Sequence, residues 1–209
     1  MKFQHDAKLR CTLIGGMGGS GKSTLELKAI VADRDLACRF LFDPKGDLVD
    51  RLGLAPAETA PELDLAIEDT FCIFQSSTMF PGDRAAGLDW FCRFVLERSF
   101  VMPGRKLLVI PEVWKHCNRN TIPQSLAECV QDGRKHGVET MFDTQHPERV
   151  NGSILGEVTE LISFRLHEEK SLDFAESRGF RREELSALPL GSFVGRNCLT
   201  GAEWRARLW

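Results

Sequence analysis

Residues 16–23 read Gly16-Met17-Gly18-Gly19-Ser20-Gly21-Lys22-Ser23, a G-x-x-x-x-G-K-S spacing. Residues 11–14 before it are apolar or β-prone, and Lys22–Ala32 after it contains few helix breakers. Strand, glycine-rich loop and helix is the context in which this spacing forms a phosphate-binding loop. The glycines let several backbone N–H groups turn toward one anion, and the helix start adds partial positive charge. On this reading Gly16 through Gly21, Lys22, Ser23 and Thr24 contact a nucleotide. Lys22 reaches its β- and γ-phosphates and Ser23 offers its hydroxyl to Mg²⁺. The alternative is a glycine-rich turn without a ligand, and the flanking strand and helix speak against it. The motif also limits the fold, because such a loop belongs to a parallel α/β sheet.

With 209 residues and 43% hydrophobic content, the chain is expected to form one α/β domain over residues 1–209 with a sizeable core. No apolar run approaches the roughly 18 residues of a membrane span. Residues 1–6 lack the charged start and apolar stretch of a signal peptide. The seven cysteines are scattered and form no C-x-x-C pair. This points to a reducing, intracellular setting without disulfides or a zinc site. The five histidines, His5, His116, His136, His146 and His167, lack i, i+4 spacing to an acid and read as core or surface residues. A net charge of −3 gives no general attraction to nucleic acid, so any DNA contact must come from a local patch.

Strand and helix signals alternate along the chain. Strands are expected at residues 9–14, 39–42, 71–74, 106–110 and 138–143, and within 158–166. Helices are expected at Lys22–Ala32 and at residues 85–100, 123–136 and 172–177, with residues 55–63 as a connection. Ser192–Asn197 and Glu203–Arg207 flank a turn-forming Cys198-Leu199-Thr200-Gly201 and predict a closing β-hairpin. The four aliphatics Leu107 to Ile110 suit a strand buried on both faces.

Beyond the loop, the apolar strand 106–110 ends in Pro111-Glu112. An apolar strand ending in an acid beside a phosphate loop is a Walker B arrangement. Its carboxylate orients or deprotonates the attacking water and holds Mg²⁺ directly or through water. The usual preceding Asp is here Pro111, which has no carboxylate. Asp43, at another strand tip, is one substitute. Without catalysis, Glu112 is simply an exposed strand-end acid. Gln145, past the strand 138–143, either senses the γ-phosphate and positions water or caps its loop. Arg134, between a helix end and that strand, either complements a helix dipole or projects into a neighbouring subunit's nucleotide site as an arginine finger, with Lys135 and Arg149 as rivals. Trp114, Lys115, His116, Asn118 and Arg119 combine charge with an aromatic, either as in sequence-indifferent contacts to a nucleic-acid strand or as a solvated loop with one anchoring Trp.

The phosphate loop, Phe42-Asp43-Pro44-Lys45-Gly46-Asp47-Leu48, Ile110-Pro111-Glu112, Gly133-Arg134-Lys135-His136-Gly137, Thr144-Gln145, Ile162-Ser163-Phe164-Arg165-Leu166 and the closing hairpin follow one another in order. This arrangement resembles the FtsK/HerA superfamily of DNA-pumping P-loop ATPases. In compactness it is similar to the genome-packaging ATPases of tailless, membrane-containing double-stranded DNA viruses. The resemblance covers nearly the whole chain. It implies a RecA-like, mainly parallel sheet flanked by helices with a C-terminal β-hairpin, and ATP hydrolysis with Mg²⁺ coupled to double-stranded DNA translocation. The matched positions imply Glu112 as the water-activating acid, Gln145 as the strand-end glutamine and Arg134 as the finger, with Lys22 on the phosphates. A homo-oligomeric ring, a capsid-vertex or membrane-embedded viral protein as docking partner, and a host-cytoplasmic or virion-associated location follow from the same likeness. Two other classes share the phosphate loop. A small-molecule or nucleotide kinase needs an arginine-rich lid, which the sequence lacks. A nucleotide-gated phage assembly or secretion factor carries a membrane span, which is also lacking.

Overall fold

The computed structural model describes residues 9–209. Its strands are β1 (Cys11–Gly15), β2 (Leu36–Phe42), β3 (Phe71–Phe74), β4 (Arg105–Ile110), β5 (Val138–Thr144), β6 (Glu160–Ser163), β7 (Ser192–Asn197) and β8 (Glu203–Arg207). The α-helices are α1 (Lys22–Ala32), α2 (Asp47–Leu52), α3 (Ala60–Ala66), α4 (Arg84–Val101), α5 (Gln124–Gln131), α6 (Gly152–Glu157), α7 (Glu169–Ser177) and α8 (Arg182–Ala187). The strands form one eight-stranded sheet in the order β3-β2-β4-β5-β1-β6-β7-β8. From β3 to β6 neighbouring strands are parallel, and β7 and β8 extend the sheet as an antiparallel hairpin. The α/β class, the mainly parallel sheet and the closing hairpin are therefore as the sequence implies.

Period-two alternation sorts each strand between two faces. Phe40, Phe42, Leu108, Ile110 and Phe142 enter the larger core, closed by residues of α3 through α8. Leu41, Leu107 and Val109 meet α1 and α2 on the other face, and Ile14 and Ile162 meet Leu25 of α1. The larger core is aromatic at its centre. Phe91 of α4 is fully buried and stacks on Phe74 at 5.1 Å and Phe42 at 6.1 Å between ring centroids.

Several boundaries differ from expectation, each for a local reason. Residues 55–63 hold the start of α3, where Glu62 folds back to accept the N–H groups of Glu58 and Thr59 at 2.7 and 3.1 Å. The helix expected at 123–136 ends at Gln131, and Gly133–His136 continues as a 3₁₀ turn. There, a Cβ on Gly133 would stand 3.2 Å from the Val138 side chain. Helices α2, α6 and α8 have six residues each, too few to show a helical period. No helix of the described residues is long and apolar enough to cross a membrane.

Replacing Phe91 by Ala removes the ring that three neighbouring phenylalanines contact. Denaturant unfolding is expected to show a loss of about 3–5 kcal/mol with an unchanged slope. A loss under about 1 kcal/mol would place the centre of the core elsewhere.

Candidate nucleotide site

Buried strand β1 delivers the chain into the loop, and its neighbours hold the loop's first residues. The Gly16 N–H donates to the Thr144 carbonyl at 3.2 Å and the Met17 N–H to the Arg165 carbonyl at 2.9 Å. Gly16 is required by close approach, since a Cβ there would lie 2.6 Å from Phe164 Cβ and 2.8 Å from Ser20 Oγ. Gly21 takes φ 115°, a region that favours glycine, and from it α1 begins without a side-chain cap. The Lys22 and Ser23 N–H groups thus remain available to an anion, while that of Thr24 donates to the Gly21 carbonyl at 3.0 Å. Lys22 is buried, and its Nζ donates to the Met17 carbonyl at 3.2 Å, across the loop it closes. Burial lowers the Lys22 pKa, against the pull of Asp143, Glu112 and Glu26. Ser23 is exposed at the start of α1.

The strand tips bring the other residues to this loop. Glu112 follows β4 with φ 48°, a strained conformation for a side-chain-bearing residue. Its N–H donates to Asp143 Oδ1. Its carboxylate is fixed at both oxygens, with Oε1 accepting from Gln145 Nε2 and Oε2 from Trp114 Nε1, each at 2.6 Å. Burial pushes the Glu112 carboxyl upward. The hydrogen bonds from Gln145 and Trp114 and the charges of Lys115 and Lys22 outweigh it and hold the group below the usual carboxylate range. An acid kept ionised in this way is a weak base, so it orients a water more effectively than it deprotonates one. The Gln145 amide oxygen faces Gly18, at 3.8 Å from where a Cβ would stand. Gln145 therefore bridges the acid and the phosphate loop.

Asp43 and Asp143 are both buried strand-end acids with different duties. Asp43 Oδ2 accepts the Leu48 and Val49 N–H groups at 2.8 and 2.9 Å, which anchors α2. Asp143 is the acid beside Lys22 and Glu112. The sequence reading missed it because nothing local separates it from Asp43. The usable signal was its place one residue before Thr144-Gln145 on the strand next to β1. Glu26 of α1 is also buried here, and its Oε1 has no hydrogen-bond partner among the described residues. The Ser23 hydroxyl and these carboxylates are hard oxygen donors of the kind a divalent cation takes, and the unpartnered Glu26 Oε1 is an open acceptor beside them.

The loop after Glu112 is turned inward. Trp114 meets His146 edge to face at 4.8 Å while holding Glu112. His116 packs on Phe42 at 5.2 Å, and burial pushes its pKa down to about 4, followed by the charges of Arg84, Lys115 and Lys45. Arg119 Nε donates to the Glu148 carbonyl at 2.7 Å. Trp114 is thus the anchor of the loop and serves the acid, and Lys115, Asn118 and Arg119 supply exposed polar groups.

Arg134 precedes β5, whose far tip carries the site, so roughly 20 Å of strand separates the two. Arg134 pairs with Glu157 of α6. Lys135 pairs with Asp132 at 2.5 Å. Arg149 lies 3.4 Å from Glu148 and over the Trp114 ring at 5.4 Å. His146, Glu148 and Glu168 converge beside a 190 Å³ recess at Met17, Gly18 and Gln145. Sequence spacing gave no hint of this cluster, in which Ser171 and Arg149 already engage Glu148. A larger groove of 630 Å³, under the N-terminal ends of β1 and β6, is lined by Arg10, Arg34, Asp33, Asp35, Glu139 and Glu160, at the opposite end of the strands from the phosphate loop.

The fold and loop are those of P-loop nucleoside triphosphatases. The structure superposes on the genome-packaging NTPase B204 of Sulfolobus turreted icosahedral virus 2, solved with AMPPCP, with a TM-score of 0.75. Identity is 15%, over 95% of this chain and 97% of B204. The pCW3 conjugation coupling protein TcpA, solved with ATPγS, gives 0.65 at 14% identity over 96% of this chain and 60% of TcpA. The bacterial conjugative coupling protein TrwBΔN70 gives 0.64 at 13% identity over 98% and 86%. No protein family and no curated protein matches the sequence.

Burial raises the Asp143 pKa from 3.8 to about 6. The folded protein therefore holds this proton more tightly than the unfolded chain. Stability falls as pH rises between those values, and the deficit is fully present above them. Asp143→Asn keeps an acceptor oxygen and removes the titration. Its gain over wild type in unfolding free energy, without nucleotide or metal, is expected to grow from pH 4 and level off above pH 7 at roughly 3 kcal/mol at most. A gap independent of pH would mean that Asp143 ionises normally.

Proposed function

We propose that this chain is an ATPase that translocates double-stranded DNA, working in a homo-oligomeric ring as a viral genome-packaging motor. The carrying observation is Glu112, ionised and fixed between Gln145 and Trp114 beside a complete phosphate loop. Its setting in a fold shared over 95% of the chain with B204 supports the packaging reading. Residues 1–209 act as one ATPase domain. ATP lies along Gly16 to Thr24, with Lys22 on the β- and γ-phosphates. Ser23, Glu112 and the adjoining carboxylates hold Mg²⁺, which neutralises phosphate charge when bound. Glu112 and Gln145 orient the attacking water, so phosphoryl transfer goes to water and not to a small acceptor. Arg134, too far from its own site, serves a neighbouring subunit's nucleotide. Double-stranded DNA is the transported partner, a capsid-vertex or membrane-embedded viral protein is the docking partner, and the host cytoplasm or the virion is the setting.

ATPase activity measured with and without double-stranded DNA tests the reading. DNA-stimulated hydrolysis is expected, with Lys22→Ala inactive. Glu112→Gln is expected to bind ATP and turn it over about 10²-fold more slowly. Wild-type turnover in Lys22→Ala, or phosphoryl transfer to a small acceptor, would overturn the reading.

The finger has its own test. Arg134→Ala should lose rate while keeping ATP affinity. Mixing it with Glu112→Gln should recover part of the activity, because some interfaces then pair an intact Glu112 with an intact Arg134. Absence of recovery in verified mixed rings removes the finger.

A further inference from the structure

We infer that Asp143 supplies, from the neighbouring strand, the metal-side carboxylate that Pro111 cannot, and so forms part of the Mg²⁺–nucleotide site with Ser23 and Glu112. The inference rests on the proposed nucleotide site and adds a residue to it.

Register makes the first part of the case. Ile110 of β4 pairs with Phe142 of β5, and Ile14 of β1 pairs with Asp143. Continued by one residue, the β4–β5 register sets position 111 level with Asp143. Because β5 lies between β4 and β1, Asp143 stands one strand closer to the phosphate loop than Pro111 does. Alternation makes the second part. Val109 and Ile14 face α1, whereas Ile110 and Phe142 face the larger core. Position 143, next to Phe142, therefore shares the face of α1, the helix that carries Lys22 and Ser23.

Charge supplies the third part. Asp143, Glu112 and Glu26 all act on the buried ammonium of Lys22. Arg51 acts on Glu26, and Lys115, 3.9 Å from Glu112, acts on Glu112 and Asp143. Asp143 uses Oδ1 for the Glu112 N–H, and its other oxygen accepts no hydrogen bond among the described residues. Glu26 Oε1 is also unpartnered. Buried carboxylates with open oxygens are stable only when a proton or a cation neutralises them. A divalent cation arriving with a nucleotide does so, and oxygen ligands suit it.

The competing explanation is that Asp143 only pins the strained Glu112 backbone. Asp143→Asn separates the two roles, because its amide oxygen still accepts the Glu112 N–H while the charge is gone. Pro111→Asp returns a carboxylate to the strand end. Binding of a fluorescent ATP analogue is followed as Mg²⁺ is added, with Mn²⁺ electron paramagnetic resonance on the same samples. Expected results are metal-free nucleotide binding at least as tight in Asp143→Asn as in wild type, and a half-saturating Mg²⁺ concentration raised about tenfold or more. The double variant Pro111→Asp/Asp143→Asn should move back toward wild type. Metal titrations of Asp143→Asn that superimpose on wild type overturn the inference. So does a folded double variant, verified by its unfolding midpoint, that recovers nothing. A wild-type protein that binds no nucleotide overturns the functional reading itself, which is a distinct outcome.

Discussion

The site depends on one topological constraint, the insertion of β5 between β4 and β1. Parallel neighbours in register carry their C-terminal tips to one edge of the sheet. That edge therefore receives the phosphate loop from β1, Glu112 from β4 and Asp143 with Gln145 from β5. Two cross-strand hydrogen bonds then lock the tips, from the Glu112 N–H to Asp143 and from Gln145 to Glu112. Neither bond exists unless β5 occupies that place. A strand slip of one residue would turn Asp143 away from α1 and into the larger core.

The locked tips are locally unfavourable, and the rest of the fold compensates. A non-glycine residue at φ 48° costs about 1–3 kcal/mol. Buried Glu26 and Asp143 add a desolvation cost that Lys22 only partly offsets. Against these stands the aromatic cluster of Phe40, Phe42, Phe74, Phe91 and Phe94 on the opposite face of β2 and β4. Losing a single such ring typically costs about 3–5 kcal/mol. The side of the sheet that carries the chemistry is thus strained and charged, while the side away from it is densely packed.

What the sequence shows is what lies close together along the chain. The phosphate loop is eight contiguous residues, and the four aliphatics Leu107 to Ile110 run directly into Pro111-Glu112, so both are legible without a structure. The aliphatic strands and the closing hairpin are legible for the same reason. Asp143 is not, because its meaning depends on which strand lies beside it. Asp43 has the same local description, an acid after an apolar strand, yet β2 lies outside β4 and its carboxylate is taken by α2. Trp114 was open to two readings in the sequence. A basic, aromatic loop suggests a surface for nucleic acid, but the indole N–H had an unfilled acceptor two residues back in Glu112. The His146–Glu148–Glu168 cluster combines residues 20 or so apart, and only the turn after β5 and the start of α7 unite them.

The position of Arg134 bears on how such a site could be completed by a neighbour. Its partner Glu157 is on the same chain, and both side chains are about one-third exposed. An ion pair of that exposure is worth about 0–1 kcal/mol. A finger that stabilises a transferring phosphoryl is worth a factor of about 10³ or more in rate, several kcal/mol. Exchanging Glu157 for a neighbour's nucleotide is therefore energetically open to Arg134. Lys135 and Arg149 are placed differently. Lys135 extends from the same turn but offers one ammonium, without the planar fork that grips a phosphoryl group. Arg149 sits beside its own chain's Trp114 and Glu148, where its charge acts on the site it already borders. Of these three, Arg134 alone combines a guanidinium, a weak resting partner and a location away from its own phosphate loop.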